Sequence, residues 1–373
     1  MAREGAARAT RIQRLLEPAD IRLNGDRPWD VQVHNEAVYD RVLGQGSVGL
    51  GEAYMDGWWD CEQLDEFFTR VLRADLASRV RTPGDRLYYL VAWVTNLQAG
   101  RRGLRVGEQH YDVGNDLYER MLDRHMIYSC GYWREAGDLD AAQEAKCDLI
   151  FRKLGLAPGM RVLDIGCGWG GAARLAAERY GAELVGVTIS REQQALARER
   201  CAGLPVDIRL QDYRALDEHF DRIYSIGMFE HVGFKNYRRF FEVAHRCLAD
   251  DGLMVLHTIG LRYTETATDP WIHKYIFPNS MTPSIRRIGE AIEHLFVMED
   301  WQNFRNDYDR TLLSWWDNIA GRWQEIPDYG ERFQRMWRYY LMVSAGTFRA
   351  GQNQLWQIVL SKHGLARRYD APR

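Results

Sequence analysis

Val162-Leu163-Asp164-Ile165-Gly166-Cys167-Gly168-Trp169-Gly170-Gly171 is the stretch that decides the fold. An apolar run breaks into four glycines within six residues, and a helical pattern resumes from about Ala172 to Tyr180. Arg161 to Ile165 is short, apolar and bounded by Pro158-Gly159, the pattern of a buried parallel strand. The glycines free the backbone and remove the Cβ atoms that would keep a ligand off the main chain. The helix that follows aims its unpaired N-terminal amides at the same place. Strand, glycine turn and helix in this order predict a nucleotide-shaped site.

Two kinds of ligand fit such a turn. Gly166-x-Gly168-x-x-Gly171 matches the dinucleotide fingerprint, which alone is a weak signal. Asp164, inside the strand just ahead of the turn, favours the class I methyltransferase plan, in which an acid there lies near the cationic amino-acid end of S-adenosylmethionine. The alternation continues downstream. Leu184 to Thr188 reads as a second strand and Arg191 to Cys201 as a helix, capped by Ser190 with Gln193 three residues on. Val206 to Leu210, Arg222 to Gly227 and Leu253 to Ile259 read as three further strands. The expected fold class is α/β: a doubly wound, mostly parallel sheet with a smaller N-terminal α+β domain. Ligand chemistry belongs outside the carboxyl ends of those strands, where Asp212-Tyr213, Glu230-His231 and His257 fall.

The chain of 373 residues is 46% hydrophobic, enough for two domains with real cores, so disorder and fibrous structure are excluded. Six cysteines form no CxxC pair, which predicts reduced thiols, no zinc cluster and no metal. No signal peptide is visible at Met1-Ala2-Arg3-Glu4-Gly5, and no apolar run approaches the roughly 20 residues of a membrane span. A cytoplasmic protein, soluble or peripheral, is the expectation.

The net charge of −3 is uneven. Between Arg70 and Arg105 eight arginines face only Asp75 and Asp85, around the apolar and aromatic run Leu87 to Val94. Basic residues among interfacial aromatics suit an anionic membrane surface. The plainer alternative is a buried helix with a solvated arginine fringe, and no nucleic-acid recognition motif is present.

Residues 1–95 read as an N-terminal domain, 96–107 as a polar, basic linker, and 108–373 as the catalytic domain. In the first, Ile21 to Leu23, Val31 to Val33 and Val38 alternate like short strands around Asn24-Gly25-Asp26. Gly44 to Glu52 is glycine-rich but lacks the Lys-Ser/Thr of a P-loop, and reads as loop and turn. Residues 263–350 hold seventeen aromatics; most belong to ordinary core, and a subset could line an acyl-binding insertion.

Taken together, the segments resemble cyclopropane-fatty-acyl-phospholipid synthases of the bacterial two-domain type. The resemblance rests on Gly49 to Trp59, His110 to Asp116, Tyr128 to Trp133, the glycine turn, Gly186 to Ser190, Gln211 to Arg214, Met228 to Gly233, Leu256 to Gly260, Asp269 to Ile272, Lys274 to Pro278 and Asn306 to Asp309. It covers the chain from Gly46 nearly to its end.

The resemblance implies transfer of a methyl group from S-adenosylmethionine to a cis double bond of a phospholipid acyl chain, followed by proton loss and closure of a three-membered ring. It implies a bound bicarbonate as the base, held by Cys130, Glu230, His257, Ile259 through its backbone, and Tyr308. For the cofactor it implies Tyr128 and Ser129 as a lid, with Asp164, Gly166, Gly168, Thr188, Ile189, Gln193, Asp212 and Tyr213. Thr188 stands where many methyltransferases carry an acid for the ribose, which leaves that role to Thr188 and Gln193. Glu230 beside an anion must be protonated or matched by His257, so the pair is expected to titrate together. The implied partners are unsaturated membrane phospholipid, an anionic membrane surface at the inner face, and a second copy of the chain in a homodimer. Methyl-branched or methylene products, and a membrane module in which S-adenosylmethionine is regulatory, are the competing functions.

Overall fold

The computed structural model describes residues 2–76 and 114–373. The chain forms two units: 1–95 with 266–278 and 312–353, and 96–265 with 279–311 and 354–373. The linker at 96–107, the arginines from Arg79 to Arg105 with the run Leu87 to Val94, and His110 to Val113 lie outside the described residues.

The first unit begins with α1 (Ala2–Leu16), β1 (Gln32–Val33), α2 (Val38–Met55), β2 (Trp59–Asp60) and α3 (Leu64–Arg73). β1 pairs with β2 rather than with the segment at residues 21–23, which makes only a single bridge from Leu23 to Val31. Val38 opens a helix, not a strand. The glycine-rich Gly44 to Glu52 lies inside α2, correcting the loop expected there, with one non-helical residue at Gly46.

The second unit continues with α4 (Asn115–Met121), α5 (Leu139–Leu154), β3 (Arg161–Ile165), α6 (Gly171–Tyr180), β4 (Glu183–Thr188), α7 (Arg191–Arg200), β5 (Val206–Leu210), β6 (Phe220–Ile226), α8 (Tyr237–Cys247) and β7 (Leu248–Leu261). After α9 (Pro270–Tyr275), which belongs to the first unit, come α10 (Ile285–Ile292), β8 (Val297–Asn303), α11 (Arg305–Ala320), α12 (Glu331–Ala350) and β9 (Asn353–Ser361). The seven-stranded sheet has the order β5-β4-β3-β6-β7-β9-β8. β5, β4, β3, β6 and β7 run parallel, and β8 pairs with β9 antiparallel. This is the expected α/β sheet of a class I methyltransferase. β3 and β5 have the predicted bounds; β7 starts five residues earlier and ends two later than the periodicity indicated.

Residues 263–350 are shared between the units. Trp271, Tyr275, Tyr339, Phe277, Tyr340, Phe333 and Trp337 belong to the first, where they pack ring against ring. Gly51 explains the glycine of α2, because a Cβ there would lie 2.3 Å from the Trp271 indole nitrogen. Glu52, next in the chain, accepts from Lys274 Nζ at 2.6 Å, Tyr275 Oη at 2.7 Å and Arg41 Nη2 at 2.7 Å. Burial opposes ionisation, but these three donors win and hold its carboxyl down to about 2. Tyr275 is thus committed to an ion-pair network of the first unit.

Candidate active site

A cavity opens beyond the carboxyl ends of β3, β4, β5 and β6. The parallel order puts these ends on one edge, and the chain reverses its winding between β3 and β6. All ten residues expected at the cofactor line it: Tyr128, Ser129, Asp164, Gly166, Gly168, Thr188, Ile189, Gln193, Asp212 and Tyr213. Gly166 has φ +89°, and a Cβ there would sit 2.6 Å from Met228, so both conformation and packing demand glycine.

Asp164 is 2% exposed. Burial pushes its carboxyl up to about 7, which suits a site that waits for a cation: an ammonium or sulfonium alongside would restore the charged form. The Thr188 hydroxyl donates to Gln193 Oε1 at 2.9 Å and accepts from Ser190 N–H at 3.2 Å. Ser190 caps α7 by accepting from Gln193 N–H, as expected, while the Gln193 side chain turns to Thr188 instead of closing the reciprocal half of a capping box. Asp212 is engaged by Arg214, whose Nε lies 2.9 Å from Oδ1. Ile189 is 37% exposed at the cavity wall.

The segment Tyr128 to Gly131 is clasped from behind by α5. Gln143 Nε2 donates to the carbonyls of Ser129 at 2.7 Å and Ile127 at 3.2 Å, and Lys146 Nζ donates to Ser129 Oγ at 2.8 Å. Gln143 and Lys146 are fully buried. From the other side, Thr311 Oγ1 accepts from Gly131 N–H at 3.1 Å and Trp133 Nε1 at 2.9 Å, and Asp307 Oδ1 accepts from Trp133 N–H at 2.7 Å. The start of α11 therefore fixes the loop that carries Cys130. Burial pushes the Cys130 thiol well up, and Sγ donates to the Gly131 carbonyl at 3.1 Å. Tyr308, 8% exposed, stands between Asp307 and Thr311 in sequence on that helix.

The five residues expected to carry the chemistry lie outside this cavity's walls. Glu230 sits in the turn after β6, and its Oε1 accepts the Ile259 N–H at 2.6 Å. Its Oε2 is buried with no hydrogen-bond partner among the described residues, and burial pushes the carboxyl up to about 7 despite the Ile259 bond. His257, 1% exposed, points its Nδ1 at Gln357 Nε2, 3.3 Å away, and its Nε2 is buried with no hydrogen-bond partner among the described residues. Its ring lies 6.5 Å, centroid to centroid, from Phe304, whose carbonyl accepts from Tyr308 N–H. Burial drives His257 well below the ordinary imidazole range, helped by the charges of Lys146 and Lys153. Glu230 and His257 each make a separate contact, Glu230 to Ile259 and His257 to Gln357. His231 lines the cofactor cavity, with its imidazole pushed down to about 4 by burial.

Sequence reasoning passed over Lys146, Thr311 and Gln357. Two of them carried a signal. Gln143, Lys146 and Lys153 interrupt the buried stripe of α5 formed by Leu139, Ala142, Cys147, Ile150 and Leu154. Gln357 likewise stands inside Leu355-Trp356-Gln357-Ile358-Val359-Leu360, all buried. A polar residue in an apolar face needs a partner inside.

A profile of the family described as mycolic acid cyclopropane synthetase matches residues 98–358. The chain is 54% identical over 357 residues to cyclopropane-fatty-acyl-phospholipid synthase of Escherichia coli strain K12, covering 93% of this chain and 92% of that one. Among solved structures, a cyclopropane synthase from Mycobacterium tuberculosis is 33% identical with TM-score 0.66, covering 69% of this chain and 98% of its own. A mycolic acid cyclopropane synthase complexed with SAH and CTAB is 34% identical with TM-score 0.65, over 69% of this chain and 98% of that chain.

Proposed function

The chain belongs to the cyclopropane synthase family of S-adenosylmethionine-dependent methyltransferases, and from that premise we propose that it transfers a methylene group to a cis double bond in an acyl chain of an unsaturated membrane phospholipid, with bound bicarbonate as the base. The cofactor, when bound, supplies an electrophilic methyl group. The residues that line the cavity would hold it: Asp164 its cationic end, Thr188 and Gln193 its ribose, Asp212 and Tyr213 its adenine, with Tyr128, Ser129, Gly166, Gly168 and Ile189 completing the site.

An alkene is a weak nucleophile, so the site must align it and exclude water. Methyl addition leaves a carbocation on the chain, and a proton of the new methyl must depart for the ring to close. Cys130, Glu230, His257, Ile259 through its backbone, and Tyr308 would hold a bicarbonate, which would supply negative charge beside that cation and a base for the proton. The observation that carries the reading is the pair of buried, partnerless polar atoms, Glu230 Oε2 and His257 Nε2. Buried polar atoms of this kind call for a ligand or an ion. A protonated Glu230 offers an O–H to an anion rather than a repelling charge.

Residues 1–95 dock lipid or join two copies of the chain, and the enzyme works peripherally at the inner face of the membrane. Among the described residues, no helix is long and apolar enough to cross a bilayer. Aromatic side chains from 263–350 complete the acyl-binding region.

Mass spectrometry of phospholipid incubated with S-adenosylmethionine tests the reading. Gain of one CH2 with loss of the alkene supports it; gain of CH2 with a methyl branch or a new methylene points to the competing exits, and unchanged lipid overturns it. Removal of bicarbonate from the buffer should abolish turnover.

A further inference from the structure

Gln357 is fully buried on β9, where it pairs in register with Gln302 of β8. Its amide nitrogen stands 3.3 Å from Nδ1 of His257, and no other residue hydrogen-bonds that imidazole in the described structure. Burial keeps the ring neutral, and so do the ammonium groups that face it from α5, Lys146 and Lys153. A neutral imidazole carries one proton and one lone pair, and the partner of one nitrogen decides which is which. An amide N–H can only donate.

We infer that Gln357 is a positioning residue: by donating to Nδ1 it keeps the His257 proton on Nε2, so that His257 serves the site as a neutral hydrogen-bond donor toward an anion and not as the group that accepts the proton. The inference deepens the function proposed above and rests on its reading of an anionic base. Nε2 is buried with no partner among the described residues, so it is the nitrogen available to a ligand. Glu230 has the same design. Its Oε1 is spent on the Ile259 N–H, while Oε2 is buried and unpaired. His257 and Ile259 are two residues apart on β7, roughly 7 Å along the strand, so the imidazole and the amide that holds Glu230 come from neighbouring positions of one strand. Lys146, and Lys153 although it is paired with Asp300 at 3.5 Å, add to burial in holding His257 in the uncharged state that cannot pass a second proton back to an anion.

The test is the tautomer itself. Nitrogen-15 spectra of the full-length enzyme with labelled histidine, the His257 signals being assigned by their loss in His257→Gln, should show a protonated Nε2 and an unprotonated Nδ1 near neutral pH. A proton on Nδ1, or a charged ring, overturns the inference whatever the activity of the enzyme. Gln357→Glu, which offers an acceptor to the ring, should move the proton to Nδ1 and raise the KM for bicarbonate by at least about tenfold, the loss of one hydrogen bond to an anion, with KM for S-adenosylmethionine unchanged. Gln357→Leu should lose the fixed tautomer in the same spectra. An unaltered tautomer in both variants counts against the role of Gln357. An enzyme that shows the expected tautomer but no dependence on bicarbonate contradicts the anionic base and leaves the Gln357–His257 contact standing.

Discussion

The Ile259 N–H donates to Oε1 of Glu230 at 2.6 Å, so a strand-end amide of β7 holds the carboxyl that follows β6. One oxygen of the group is fixed and the other is left buried without a partner. This geometry, added to burial that lifts the carboxyl from 4.5 to about 7, gives a pH-dependent cost to folding. The folded state binds this proton more tightly than the unfolded chain, so the stability gained from it is complete below pH about 4.5 and is lost as pH rises through 7. Glu230→Gln keeps the acceptor for Ile259 and removes the titration. We expect the variant to lose turnover and to melt higher than the parent at about pH 8.5, by up to about 3 kcal/mol, but not near pH 4.5. Thermal scans at the two pH values check this; an equal effect at both would sink it.

Asp164 gives the second prediction. Burial lifts its carboxyl to about 7, and a cationic ligand requires it ionised. Affinity for S-adenosylhomocysteine, which carries the same ammonium, should therefore weaken as pH falls below 7, approaching about tenfold per pH unit. Asp164→Asn should bind weakly and lose that slope. Calorimetric titration across pH decides it, and a flat profile in the parent would contradict the assignment.

Gly260 follows Ile259, and a Cβ there would stand 2.1 Å from the Trp356 ring. The indole cannot yield easily: it is 1% exposed, its Nε1 donates to Gln354 Oε1 at 3.0 Å, and Trp301 packs against it 5.0 Å away. Gly260→Ala should destabilise the second unit by about 1–3 kcal/mol through overpacking. Urea unfolding measures this, and an unchanged midpoint would show that β7 can shift.

Thr311 holds the Cys130 loop through the N–H of Gly131 and the indole of Trp133. Thr311→Val leaves both buried donors unpaired, at about 1–3 kcal/mol each. Turnover should fall while affinity for S-adenosylhomocysteine persists, because the cofactor cavity takes none of its walls from α11. A parallel loss of cofactor affinity would place Thr311 in general folding instead.

Much was legible in the order of residues. Arg161 to Ile165 followed by glycines specified strand and turn because periodicity and glycine's backbone freedom are local properties. The later strands followed for the same reason, and the residues proposed for the cofactor line one cavity where those strands end. The glycines of α2 misled the reading, since a glycine chosen for close approach to Trp271 looks in sequence like one chosen for a turn.

The sequence by itself determined the parallel sheet, the glycine cradle with Asp164 beneath it, and the residue types available for the chemistry. Only the tertiary structure decided which of those residues meet. Glu230 turns to the Ile259 amide and His257 to Gln357, a hundred residues distant in the chain. The reason is physical: a buried polar atom takes whichever partner the packing of strands brings within about 3 Å, and that choice depends on sheet order, which no local pattern encodes.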